Sequence, residues 1–229
     1  MFGPAYDLLA KASVRAIGID TPGFGQSDAP DGKHSIAGYA SAVRAVMDYL
    51  DIGCACILGH HTGAAVAAEV AVTWPERISR VILNGPPVMT AEERETVRSA
   101  IQATPRITPV ADGQHLVDLW NKRIRFTPGW TSISAMHSGV VQMLRAGDNE
   151  LAGFDAAFDH DISVPIQKIT QQCLILTNTG DDLYEASQRA RELRPDFSYH
   201  ELVGGTHDIV EEQTEDWVAV VAEFALSNE

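Results

Sequence analysis

Short β-branched runs alternate along this chain with segments of helical period, and that alternation constrains the fold more than any other feature. Strands separated by helix-length connections pair in parallel, and a strand covered on both faces reads as a continuous apolar run. Residues 14–20, 54–59, 80–83, 173–177 and 198–203 read as such strands. Helical period covers 35–51, with Ser35 placed to cap it, then 62–74, stopped by Pro75, then 184–193 and about 214–225. From Pro86 to about Ile169 the rhythm changes. Helical segments near 91–102, 114–125, 132–146 and 151–158 follow one another, separated by Pro105, Pro109, Pro128-Gly129, Gly147-Asp148 and Pro165. A helical block inserted between two strands of one sheet is expected to act as a lid over a pocket. The reading is therefore a core formed by 1–85 and 170–229, with a helical lid at 86–169.

Composition narrows the partners. The chain has 229 residues, 45% hydrophobic and 21% charged, enough to bury a core without staples. Its 17 basic against 31 acidic residues leave a formal charge of −14, spread along the sequence. Such a surface repels phosphate backbones and anionic lipid, so a small-molecule substrate is expected rather than nucleic acid or a membrane. Oligomeric state is not legible. No apolar stretch reaches the length of a membrane span: the run at 63–72 contains Glu69. The N-terminus has no basic flank or apolar signal core, and Cys54, Cys56 and Cys173 sit in strand-like apolar runs. They read as reduced core thiols, which together point to a cytoplasmic protein. Cys54-Ala55-Cys56 lacks a second ligand pair, and His34, His115, His137, His160 and His200 have no ligand spacing, so no metal and no cofactor is expected.

The chemistry is concentrated at Leu58-Gly59-His60-His61-Thr62-Gly63-Ala64-Ala65. A buried strand meets a small-residue helix there through a turn with glycines at i and i+4, the context of a G-x-S-x-G nucleophile elbow. Three further segments agree. Gly18-Ile19-Asp20-Thr21-Pro22-Gly23-Phe24-Gly25-Gln26-Ser27-Asp28 looks like a G-x-D-x-P-G-x-G-x-S-D loop; Asp181-Asp182 follow the first strand after the helical block; and Gly204-Gly205-Thr206-His207-Asp208 follow the last strand. With these four motifs in register, the sequence resembles the α/β-hydrolase family over essentially its whole length. A dinucleotide-binding reading of Gly23-Phe24-Gly25 fails because Asp28 replaces the third glycine and would oppose a pyrophosphate.

The resemblance implies an α/β-hydrolase fold, a mostly parallel sheet flanked by helices. It also implies cofactor-independent hydrolysis of an ester, lactone or similar small apolar substrate. His61 takes the nucleophile position, where the family pattern asks for Ser, Asp or Cys. His207 would be the general base and Asp182 its acid, with Asp181 one position away as the alternative. The Thr62 backbone N–H would be an oxyanion donor, His60 a structural neighbour of the elbow, and Phe24 a pocket wall. Trp130 and His160 could face the pocket from the lid, although packing is the plainer role. His61 could attack an acyl carbon, or share with His207 the task of activating water or deprotonating a substrate for elimination. It could also mark a member that only binds a ligand. The strands that precede the first helix in the family, and its His-Gly oxyanion loop, are absent, so Met1 is expected to be an internal methionine of a longer protein.

Overall fold

The computed structural model describes residues 1–103, 108–125, 129 and 132–227. Four strands form one parallel sheet in chain order: β1 (Ala55–His60), β2 (Ile78–Asn84), β3 (Gln172–Asn178) and β4 (Ser198–Leu202). Helix α1 (Ala5–Lys11) and helix α2 (Ile36–Tyr49) precede β1. Helix α3 (Thr62–Thr73) carries the chain from β1 to β2. Between β2 and β3 lie α4 (Ala91–Ala103), α5 (Gln114–Arg125), α6 (Ile133–Ala146), α7 (Ala152–Phe158) and α8 (Ser163–Ile166). Helix α9 (Tyr184–Leu193) joins β3 to β4, and α10 (Ile209–Glu212) and α11 (Thr214–Leu226) follow.

The period-2 alternation of the strands builds two cores, one on each face of the sheet. Val81 and Leu83 of β2, with Cys173 and Ile175 of β3, face a layer made by α2, α3 and α8. Ile82, Leu174 and Leu176 point the other way, against Leu9 of α1 and Trp217, Val218 and Val221 of α11. Trp217 is fully covered, and its indole N–H donates to Asn84 Oδ1 at 2.7 Å, so the large ring is buried without an orphaned donor. Ser35 caps α2 as its sequence position suggests, its hydroxyl accepting the Gly38 N–H at 3.1 Å.

Two expectations need correction. Residues 14–20 form no strand; among the described residues they pair in no ladder, and Ile17 is exposed. An apolar alternating run becomes a strand only when a neighbour takes its backbone hydrogen bonds, and among the described residues no strand pairs with this one. β1 is accordingly an edge, with Ala55 to Leu58 only partly buried. Cys54 is exposed because it precedes β1 rather than belonging to it, whereas Cys173 is buried and Cys56 is intermediate; all three are free. Burial pushes the Cys56 thiol up to about 11, which leaves it protonated and inert.

Candidate active site

The C-terminal ends of β1, β3 and β4 carry the catalytic candidates singled out by sequence. Where β1 passes into α3, His61 adopts φ 51 and ψ −112, a conformation that a residue with a side chain enters only at a cost. Three hydrogen bonds hold it there. The His61 N–H donates to Asn84 O at 2.9 Å, extending the β1–β2 ladder by one residue; His61 O accepts the Ala64 N–H at 2.8 Å; and the ring Nε2 lies 2.9 Å from Asp181 Oδ2. The strand and helix cross closely because Gly59 has no side chain: a Cβ there would fall 1.8 Å from Gly63 O.

Asp181 and Asp182 leave β3 together and serve different neighbours. The Asp181 side chain is fully buried; its Oδ1 accepts the Leu183 N–H at 2.8 Å, and its Oδ2 meets His61. Asp182 is largely exposed, and its Oδ2 lies 3.6 Å from Nδ1 of His207. The imidazole of His207 holds the Asp182 carboxyl below its usual range. The loop that carries His207 is fixed by Asn178, whose amide donates to Gly204 O at 3.0 Å and Thr206 O at 3.1 Å, and by Glu212, which accepts the Thr206 hydroxyl at 2.9 Å. Burial alone would lower the pKa of His207, but the neighbouring carboxylates Asp182 and Asp208 outweigh it and raise the group above 6.5.

Sequence reasoning missed two partners. Arg123 of α5 is a buried cation that ion-pairs with Asp208 and brings Nη1 to 3.4 Å from His207 Nε2; Asp208 Oδ2 lies 3.4 Å from the same nitrogen. Nothing in the sequence joins an arginine to an aspartate 85 positions away. The sequence offers Asp181 only as the alternative to Asp182, whereas in the structure it partners His61. No hydrogen bond joins His61 to His207 among the described residues.

His60 is the opposite of exposed. It is 6% accessible, stacks on His61 with ring centroids 3.8 Å apart, and neither of its nitrogens has a hydrogen-bond partner among the described residues. Burial first, then the neighbouring histidines, hold its pKa well below 6.5. It is not among the residues that line the adjacent cleft. That cleft, about 240 Å³, is lined by Thr21 and Phe24 of the first loop, Tyr39, Thr62, Val66 and Phe154 of α7. Trp130 lies outside the described residues. His160 sits beside Glu69 at 3.9 Å, away from the elbow. Thr62 opens α3, so its backbone N–H belongs to the first helical turn, whose donors have no partner within the helix.

Donor atoms of His60, His61 and Asp181 lie within 4.8 Å of one another, the spacing of a possible metal cluster. The two rings are only 18° from parallel, however, so their in-plane electron pairs run alongside each other instead of meeting at one point. Asp181 Oδ2 is also already engaged by His61. As arranged, the three do not form a convergent cation site.

Comparison with known proteins agrees with this architecture. A model of the alpha/beta hydrolase family matches residues 2–222. A 2-hydroxy-6-oxononadienedioate/2-hydroxy-6-oxononatrienedioate hydrolase from a Pseudomonas species is 35% identical over 79 residues, which is 34% of this chain and 28% of that protein. The chain spans about 20 to 30% of the length of the curated relatives it matches. Among solved structures, an esterase from Exiguobacterium antarcticum superposes with a TM-score of 0.80 at 19% identity, covering 99% of this chain and 87% of the esterase. The enol-lactonase from Burkholderia xenovorans LB400 gives 0.74 at 20% identity, covering 99% and 86%. At these identities the superpositions speak for the fold alone. No helix among the described residues is long and apolar enough to cross a membrane.

Proposed function

The chain belongs to the alpha/beta hydrolase family, and from that membership we propose that it hydrolyses a small ester or lactone, with the imidazole of His61 in the role usually given to a serine. The observation that carries this reading is the conformation of His61. A residue with a side chain is held at positive φ at the joint of strand and helix, against a buried carboxylate. Strain of roughly 1–3 kcal/mol persists where surrounding hydrogen bonds over-determine the backbone, and such positions concentrate at active sites. A neutral imidazole needs no base to become a nucleophile, and the acyl-imidazole it forms is readily cleaved by water.

His207 and Asp182 supply proton transfer. An imidazole beside a carboxylate is a general base for the attacking water, and its protonated form is a general acid for the departing alcohol. The first turn of α3 offers backbone N–H groups to the acyl oxygen as it gains charge. The helices at 86–169 act as the lid, and the substrate's apolar portion occupies the cleft between Phe24, Val66 and Phe154. The dienedioate, ester and lactone named in the relatives set the class to assay first.

A panel of p-nitrophenyl esters and aryl lactones, assayed on the chain and on His61→Ala and His207→Ala, tests the proposal. Turnover that falls at least about 10²-fold in each variant supports it. Turnover indifferent to His61→Ala would sink it, and so would a folded protein inert to the whole panel and to meta-cleavage-type dienedioates.

A further inference from the structure

Two carboxylates and two histidines meet at the strand ends, and they sort into separate pairs. The exposed Asp182 faces His207, whereas the fully buried Asp181 faces His61. We propose that Asp181 is the positioning residue of His61: its carboxylate holds the imidazole as the Nε2–H tautomer and leaves Nδ1 as the nitrogen that attacks. This rests on the reading of His61 as the attacking group and specifies which atom of it reacts.

The argument starts from protons. An ionised carboxylate has none to give, so in the 2.9 Å contact between His61 Nε2 and Asp181 Oδ2 the ring nitrogen is the donor. A neutral imidazole carries one N–H, and with it on Nε2 the electron pair is on Nδ1. The opposite tautomer would aim the electron pair of Nε2 at a carboxylate oxygen in a buried site, which is repulsive. Asp181 is itself fixed: the Leu183 N–H occupies Oδ1, leaving Oδ2 directed at the ring. The space for the pair is also built in. Gly85 has φ 60, and a Cβ there would fall 2.5 Å from His61 Cδ2 and 2.8 Å from Asp181 Oδ2. His60, stacked on one face of His61, limits rotation of the ring away from this contact.

The chemistry balances on this assignment. The electron pair of Nδ1 forms the bond to the acyl carbon, and the carbonyl π pair moves to oxygen. Collapse expels the alkoxide, which takes a proton from the imidazolium of His207. The acylated ring of His61 is then a cation whose Nε2–H still faces Asp181, and the buried carboxylate stabilises that charge. Water next adds to the acyl carbon while neutral His207 accepts its proton. The carbon–nitrogen bond breaks, the acid is released, and His61 returns to its neutral Nε2–H form.

The test reads the tautomer directly. The chain is labelled with 15N-histidine, and the ring signals of His61 are assigned by their loss in His61→Gln. With the ring neutral, the spectrum is expected to show a protonated Nε2 and an unprotonated Nδ1. Asp181→Asn is expected to mix the tautomers, while Asp182→Asn moves the signals of His207 and leaves those of His61. A protonated Nδ1 in the unsubstituted chain overturns the proposal, and so do His61 signals that answer to Asp182→Asn alone. If Asp181→Asn does not fold, the spectrum of the unsubstituted chain still decides. This readout needs no turnover, so it stands apart from failure of the hydrolase reading. Where an ester is turned over, Asp181→Asn is expected to lower kcat at least about 10²-fold with KM unchanged, as misplaced tautomers do; an unchanged kcat overturns the positioning role.

Discussion

His60 and His207 lie close to the same turn, yet their surroundings push their proton affinities apart. His60 is buried with neither nitrogen partnered among the described residues, and desolvation holds its pKa well below 6.5. The unfolded chain binds a proton at this residue below about 6.5 and the folded chain does not, so stability is full above that pH and falls as acid is added. The slope from one such group approaches about 1.4 kcal/mol per pH unit. His60→Phe replaces an unpartnered polar ring by an apolar one, which costs little or stabilises. Urea midpoints measured from pH 8 to 5 should therefore fall less steeply in His60→Phe; an unchanged acid slope would place the proton uptake elsewhere. His207 has the opposite sign. Its pKa is raised in the folded state, so its contribution to stability is complete below 6.5 and is lost as pH rises through the higher folded value. If protonated His207 gives its proton to the leaving alkoxide during acylation, the alkaline limb of kcat/KM lies above pH 6.5, and Asp182→Asn shifts that limb to lower pH. A limb that does not move would show that Asp182 leaves the basicity of His207 untouched.

At the scale of elements, the joint between β1 and α3 depends on one glycine far more than on the other. The spacing of Gly59 and Gly63 presents them as equals, but a Cβ on Gly59 would collide with the carbonyl of Gly63, backbone against backbone, while a Cβ on Gly63 meets open space. Gly59→Ala must push strand and helix apart and is expected to cost more than about 3 kcal/mol, beyond ordinary overpacking. Gly63→Ala should change stability by less than about 1 kcal/mol, since alanine also suits the helix, though its methyl narrows the cleft. Equal urea midpoints for the two variants would refute this account of the crossing. The helices were legible because their signals are local: Ser35 caps α2, and the 114–125 and 184–193 ranges agree with α5 and α9 to the residue. The elbow and the turn after β3 were legible for the same reason. What failed depends on distant chain. Residues 14–20 have the composition of a strand, but a ladder needs a neighbour that the run itself cannot declare. The Asp181–His61 pair spans 120 positions, and only the fold reveals which of two adjacent aspartates turns inward.

For the molecule as a whole, the question is what ties the helices between β2 and β3 to the sheet. Many of the ties are ion pairs with at least one exposed partner, such as Lys33–Asp159 and Arg189–Glu93, and exposed pairs contribute about 0–1 kcal/mol each. Arg123–Asp208 differs, because both side chains are only 9% accessible and the pair joins α5 to the loop that carries His207. Removing one member of a buried pair strands the other charge away from water and costs about 3–5 kcal/mol, whereas exchanging both for apolar groups is often neutral. Arg123→Leu should therefore destabilise the whole chain by about 3 kcal/mol, and Arg123→Leu combined with Asp208→Leu should recover most of that loss. Thermal unfolding followed separately by far-ultraviolet circular dichroism and by tryptophan fluorescence checks both the magnitude and the coupling. If the pair is the tie, the single variant separates the two transitions as the inserted helices loosen first, and the double variant brings them together again. Coincident transitions with less than about 1 kcal/mol lost in Arg123→Leu, the range of an exposed pair, would mean that apolar contacts alone anchor these helices. Arg123 would then serve His207 and not the architecture.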